Sequence, residues 1–344
     1  MPDRQPPTGL DEIRALLREL PGPDEAARAA VAARQAQLTK PPGSLGRLED
    51  LVEWLAAWQG RDPPSAERPH TAVFAANHGV AAQGVSAYPA TVTAQMVQNF
   101  IGGGAAVNQL CALIGAELKV YELDLDRPTR DFTEAPAMAE ADCARAMAYG
   151  MMAVAPGFDV YALGEMGIAN TTSAAALCHA LHGGSAADWV GRGTGIDDAG
   201  LDLKVRVVER AVALHRDSMT DPFEVLRCLG GLEIAAIAGA ILAARLARIP
   251  VILDGYTCTA AAAVLHAADP GSIDHCLVGH VSAEPGHRRL LDKLGKAPLC
   301  DLGMRLGEGS GAVLAVTLLK AACACYGGMA TFEEAGVSGK LDEG

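Results

Sequence analysis

The sequence predicts an α/β protein: a parallel sheet with helices on both faces. Half of the 344 residues are apolar while aromatic residues make up only 4%. The core must therefore be built from small aliphatic side chains in closely approaching layers, which suits an α/β protein better than a β-sandwich. From about residue 70, short apolar runs end at Gly, Asn, Asp or Glu and alternate with longer Ala-rich segments, the signature of βα units.

Five runs read as strands. Residues 71–75 stop at Asn77-His78-Gly79, 118–123 at Asp124, 159–163 at Gly164-Glu165, 250–253 at Asp254-Gly255, and 276–278 at Gly279-His280. In such sheets ligands bind outside the carboxyl ends of the strands, so the polar residues closing each run carry the functional weight. Residues 10–60 read instead as two or three short helices. Leu10, Ile13, Leu16, Leu17 and Leu20 share one face, and Leu48, Leu51, Val52 and Leu55 repeat the pattern. Between them Lys40-Pro41-Pro42-Gly43-Ser44-Leu45-Gly46 cannot be helical, and Arg61-Asp62-Pro63-Pro64-Ser65 is the best candidate boundary.

The formal net charge is −13 with no basic cluster, which excludes a general nucleic-acid binder. The nine cysteines include no C-x-x-C and mostly sit in apolar runs, so reduced buried thiols are expected, with neither disulfides nor zinc. The start, Met1-Pro2-Asp3-Arg4-Gln5-Pro6-Pro7, lacks an apolar core and is expected to be no secretory signal. The most lipid-like stretch, 234–244, is bounded by Glu233 and Arg245, against roughly 20 residues needed to span a bilayer. A soluble, cytoplasmic protein is expected. His266, His275, His280 and His287 have no compact ligand spacing, so neither a metal nor a cofactor is expected.

Four segments could carry chemistry. Gly164-Glu165-Met166-Gly167-Ile168-Ala169-Asn170-Thr171-Thr172 feeds a strand into a helix whose free N–H groups could cradle a phosphate, or could simply be N-capped. Gly191-Arg192-Gly193-Thr194-Gly195 resembles a dinucleotide fingerprint superficially, but Ile196 stands at the third glycine position, which weakens a nicotinamide-dehydrogenase reading. Its glycines would let backbone approach a ligand. Downstream, Lys204 lies near the start of a helix over 201–215, either solvated or pointed at an anion. In Gly307-Glu308-Gly309-Ser310-Gly311 a carboxylate stands between glycines, either a solvated turn residue or a base whose pKa burial would raise. Ser86-Ala87-Tyr88-Pro89 with Gln95-Met96 could line a slot for a flat heteroaromatic, or could be packing at a helix entry.

Taken in order from residue 38 to 313, these segments, together with Lys40-Pro41-Pro42-Gly43-Ser44-Leu45-Gly46, Asn77-His78-Gly79-Val80, Asp254-Gly255 and Gly279-His280 with Ser282, resemble the nicotinate-nucleotide–dimethylbenzimidazole phosphoribosyltransferase family. One departure is Asn77, where many relatives carry Asp. The resemblance implies a doubly wound, mostly parallel sheet, with a small helical domain drawn from the chain ends: residues 1–65 and 314–344 around an α/β catalytic part at 66–313. It also implies a homodimer. It makes Glu308 the general base and Glu165 the second active-site carboxylate. Gly167, Gly193, Lys204 and Ser282 fall to the mononucleotide side with Asp254 nearby, Asn170 is a further substrate-binding residue, and Ser86, Tyr88 and Gln95 fall to the benzimidazole side.

The reaction implied is transfer of phosphoribose from nicotinate mononucleotide to 5,6-dimethylbenzimidazole in cobalamin nucleotide-loop assembly. The pyridine nitrogen of the donor is already cationic and leaves without a general acid; a carboxylate then removes the N–H proton of the cationic adduct. Transfer to another base such as adenine or a phenol is a rival reading. A non-catalytic sensor of nucleotide or benzimidazole is a second, disfavoured because a pure binder has little need of two carboxylates near an anionic ligand.

Overall fold

Side-chain alternation along the strands decides which helices cover which face of the sheet. A computed structural model describes residues 7–339; residues 1–6, with most of the signal-peptide reading, and 340–344 lie outside it. The strands are β1 (Pro69–Ala75), β2 (Glu117–Glu122), β3 (Val160–Met166), β4 (Val251–Leu253), β5 (Cys276–His280) and β6 (Pro298–Cys300). They form one sheet in the order β2-β1-β3-β4-β5-β6, every neighbouring pair parallel. Ala72, Phe74, Tyr161, Leu163, Val251 and Leu253 point into one core, with the helices Glu140–Met152, Asn170–His182, Leu232–Leu246 and Tyr256–Ala268. Val73, Val160, Ala162 and Ile252 point into the other, with Glu25–Gln35, Arg47–Gln59, Ala106–Ile114 and Ser310–Gly328. Helices therefore cover both faces, as the alternating texture predicts.

The shortage of aromatics has a packing counterpart. Glu140–Met152 and Leu232–Leu246 cross so closely that a Cβ on Gly150 would overlap the Ala236 carbonyl, and one on Gly239 the Met147 carbonyl. Burial of small residues at that crossing contributes roughly 25 cal/mol per Å² of apolar surface, without bulky rings to separate the layers.

Several expectations need correction. The described residues hold six strands, not five: β6 has three residues and begins at a proline, too little for an alternating pattern to register. β3 continues through Met166, which places Glu165 inside the strand. The helix carrying Lys204 begins at Asp198, capped by the Asp197 side chain accepting from the Gly200 N–H, so Lys204 lies in its interior. Leu10 and Ile13 pack in the first core, whereas Leu51, Val52 and Leu55 belong to the second. The stretch 234–244 is buried as expected, but the helix most like a membrane span by length and composition is Ser310–Gly328. Its Ala312, Val313, Ala315, Val316 and Leu319 are buried in the second core. All nine cysteines are free, six of them buried.

Candidate active site

The strand order reverses between β1 and β3. The chain leaves β1 for Ala106–Ile114 on one face and leaves β3 for Asn170–His182 on the other, opening a crevice at the strand ends. Loops from five strands meet there. Thr93 Oγ1 accepts from the Ile168 N–H at 3.2 Å, tying Thr91–Ile101 to the turn after β3. Ser86 Oγ lies 3.2 Å from Thr194 Oγ1, and Arg305 donates to the Gly193 carbonyl at 2.9 Å.

Two carboxylates occupy the centre. Glu165 is half-buried, and the surrounding protein desolvates it enough to push its pKa up to about 8; the hydrogen bond from Asn170 Nδ2 opposes that shift, and Glu233, Asp254 and Glu308 add to it. Glu308 is 5% exposed and held at a φ of +65°, with Oε2 lacking a partner. Burial, aided by Asp254, pushes its pKa to about 7, against a hydrogen bond from the Val107 N–H. A residue other than glycine in left-handed backbone is uncommon and is kept here by its surroundings. Those surroundings are Asp254: its buried carboxylate accepts the Gly309 N–H at 3.2 Å and the Ala312 N–H at 2.9 Å, at the N-terminus of Ser310–Gly328. Asp254, expected on the mononucleotide side, thus has both oxygens engaged in fixing the Glu308 loop.

A cationic pocket lies alongside. Lys204 is 1% exposed and donates to Thr171 Oγ1 at 2.7 Å and to the Gly191 carbonyl at 3.1 Å. Burial lowers its pKa to about 8, and Glu284 opposes the shift. Gly193 has a φ of +51°, and a Cβ there would stand 2.8 Å from Thr171 Oγ1 and 3.2 Å from Lys204 Nζ, so glycine is required both for the turn and for access. Ser282 accepts the Glu284 N–H at 3.2 Å, and its own N–H donates to His287 Nδ1 at 2.8 Å. His287 must then carry its proton on Nε2, facing Thr259 Oγ1 at 2.9 Å; burial lowers its pKa to about 3, which keeps it neutral.

Glu165, Asn170 and Glu308 are therefore brought together, as are Gly193, Lys204 and Ser282. Gly167 packs against the buried pair His78–Glu233, a Cβ there standing 3.1 Å from Glu233 Oε1. Tyr88 is 54% exposed and Gln95 is also exposed. The structure does not gather Ser86, Tyr88 and Gln95 into an enclosed slot.

Comparison with known proteins decides the family. A phosphoribosyltransferase family model matches residues 20–337. The nicotinate-nucleotide–dimethylbenzimidazole phosphoribosyltransferase of Sinorhizobium medicae is 61% identical over 332 residues, covering 96% of this chain and 98% of that protein. The protein of the same name from Rhizobium rhizogenes is 61% identical over 335 residues, covering 97% and 99%. The crystal structure of CobT from Thermus thermophilus superposes with a TM-score of 0.85 at 43% identity, covering 92% of this chain and all of that one. The chain belongs to this phosphoribosyltransferase family.

Several polar residues that build the crevice of this family member, Asn77 and His78 among them, stand in motifs that the sequence singles out but were assigned no role there. His78 Nε2 lies 2.6 Å from Glu233 Oε1, and His78 Nδ1 lies 3.0 Å from Ser173 Oγ, all fully or almost fully buried. Asn77 Nδ2 donates to the Leu125 carbonyl at 2.8 Å, linking the ends of β1 and β2. Thr171 lies in the segment read as a possible phosphate cradle, whereas Glu284 was missed. Glu233 stands in the first turn of its helix, a place acids commonly occupy, so the sequence gives it no distinguishing signal.

Proposed function

We propose that the chain transfers the 5-phosphoribosyl group of nicotinate mononucleotide to 5,6-dimethylbenzimidazole, giving α-ribazole 5′-phosphate and nicotinate, a step of cobalamin nucleotide-loop assembly. One observation carries the reading: two buried or half-buried carboxylates of raised pKa, Glu165 and Glu308, share a crevice with a lysine–glycine pocket suited to an anion. The names borne by relatives 61% identical supply the substrates.

In this reading Lys204 and the Gly193 turn take the phosphate, with Gly167 and Ser282 nearby and Asp254 acting indirectly by fixing the Glu308 loop. The benzimidazole lies towards Ser86, Tyr88 and Gln95, and its unprotonated nitrogen attacks C1 of the ribose. The C1–N bond to nicotinate breaks with its electrons returning to the pyridinium nitrogen, so the leaving group needs no proton. Glu165, protonated near neutrality and oriented by Asn170, grips the ribose hydroxyls. The adduct then loses its remaining N–H proton to Glu308, whose pKa of about 7 suits a base working near neutrality.

The same proposal extends to a homodimer in the cytoplasm. Tyr88, Ile101 and Leu113 are exposed large side chains on the segment that follows β1, and a second copy would cover them. Nine free thiols suit a reducing compartment. The division at 1–65, 66–313 and 314–344 draws support from the bridge between Leu38 and Thr331, which joins the two chain ends.

The test mixes purified protein with nicotinate mononucleotide and dimethylbenzimidazole and follows nicotinate by chromatography. Release that requires the benzimidazole, with a new ribotide peak, is expected. Binding of both ligands without release would overturn the reading.

A further inference from the structure

Glu284 is an acidic group of the crevice that the roles above leave unused. It is 5% exposed at the N-cap of Pro285–Leu294, yet its side chain turns away from its own helix. Oε1 accepts the Gly193 N–H at 2.9 Å; Oε2 is buried and without a partner. A Cβ on Gly191 would overlap that oxygen, so the carboxylate fills the space where a side chain would otherwise stand. On the other side of the turn Lys204 holds a buried charge with two neutral acceptors, Thr171 Oγ1 and the Gly191 carbonyl. A buried cation and a buried anion thus flank one glycine turn without forming a direct ion pair.

We infer that Glu284 is a positioning residue for the anionic end of the substrate: it fixes the Gly191–Gly195 turn through the Gly193 amide and sets a buried carboxylate across that turn from Lys204. The inference rests on the proposed role of Lys204 as the anion-binding cation. The other charged groups around the turn are already engaged. Arg192 pairs with Asp198, Arg305 donates to the Gly193 carbonyl, and His287 is neutral between Ser282 and Thr259. Glu284 is the acidic side chain that raises the proton affinity of Lys204 against its burial. Its carboxylate does two separable things, accepting one hydrogen bond and supplying one charge.

Two substitutions separate them. Glu284→Gln keeps an acceptor for the Gly193 amide and removes the charge. It is expected to leave kcat within about twofold, to raise KM for nicotinate mononucleotide about 5–10-fold near pH 8, and to move the alkaline limb of kcat/KM down by about one pH unit, since one unit is a tenfold change in protonation equilibrium. Glu284→Asp keeps the charge but shortens its reach; KM should rise while the alkaline limb stays where the parent has it. Equal limbs in parent and Glu284→Gln, or equal displacement in both variants, would overturn the inference. Thermal melts establish that each variant is folded. Calorimetric titration with sulfate, whose charge is constant from pH 7 to 9, reads the same limb without turnover. Loss of the shift there overturns the role of Glu284 even if the parent protein transfers no phosphoribose, whereas an intact shift with no nicotinate release overturns only the proposed reaction.

Discussion

The backbone N–H of Glu308 donates to the carbonyl oxygen of Glu165 across 3.2 Å. The two carboxylates therefore hang from segments that are directly bonded, one the end of β3 and the other a glycine-flanked turn. Gly307 has to be glycine for this, because a Cβ there would lie 2.7 Å from Glu165 Oε1. Glu308 helps raise the pKa of Glu165, so the protonation of Glu165 depends on what enters beside it. A pyridinium ring seated beside the carboxylates favours their ionised forms, and its loss returns protons to them.

Replacement of Glu308 by Gln removes the proposed base while keeping its size. General-base assistance is typically worth about 10²–10⁴-fold, so benzimidazole-dependent nicotinate release should fall by at least about 100-fold. The melting temperature should hold, because the substituted carboxylate is buried with one oxygen unpartnered. Initial rates by chromatography decide it; release at the parent rate removes Glu308 from the mechanism.

The pH profile of kcat/KM should be a narrow bell. Glu308 must be ionised to accept a proton, so activity is lost as pH falls through about 7. Lys204 must be protonated to hold phosphate, so activity is lost again as pH rises through about 8. Free-enzyme groups govern kcat/KM, so the profile is measured at subsaturating mononucleotide. A flat response from pH 6 to 9 would contradict both assignments.

How far the site could be read from sequence differs between residues for physical reasons. Glu165 and Glu308 were legible because each follows a glycine at the point where a strand or turn gives way to a helix, a place where ligands meet strand ends. Lys204 was legible as an oddity but not as buried, since its direction depends on where its helix begins. Glu284 and Glu233 were not legible. Their partners, Gly193 and His78, lie 91 and 155 residues away, and in sequence each is an ordinary acid at a helix start. β6 was missed because three half-buried residues led by proline carry no period. In a single chain Tyr88 and Gln95, proposed above for the benzimidazole side, meet solvent.

Glu165→Gln should change how stability varies with pH. The folded-state pKa of Glu165 is raised to about 8 from an ordinary 4.5, so between those values the native state holds more protons than the unfolded chain. Stability then declines as pH rises through that window. The Gln variant escapes this decline. At pH 5 its melting temperature should match that of the parent; at pH 8.5 it should be higher by about 1–2 °C, corresponding to ~1 kcal/mol once partial exposure is allowed for. Melts at the two pH values compare them, and a parent that is the more stable protein at pH 8.5 would refute the raised pKa.

Asp254→Asn tests whether the buried aspartate acts through Glu308. Its carboxylate both raises the Glu308 pKa and accepts the amides of Gly309 and Ala312. Asn retains one acceptor oxygen but turns an NH₂ group towards one of those amides, which should cost about 1–3 kcal/mol of stability. Removing the charge has a separate consequence of definite sign. With no anion beside it, Glu308 ionises more readily, so the acid limb of kcat/KM should move below about 7. A purely structural aspartate would lower the melting temperature and leave the limb in place. Stability and limb are read on the same preparation, by thermal melts and by initial rates from pH 5 to 8. A limb displaced to higher pH would show that Asp254 supports the ionised form of Glu308 rather than opposing it.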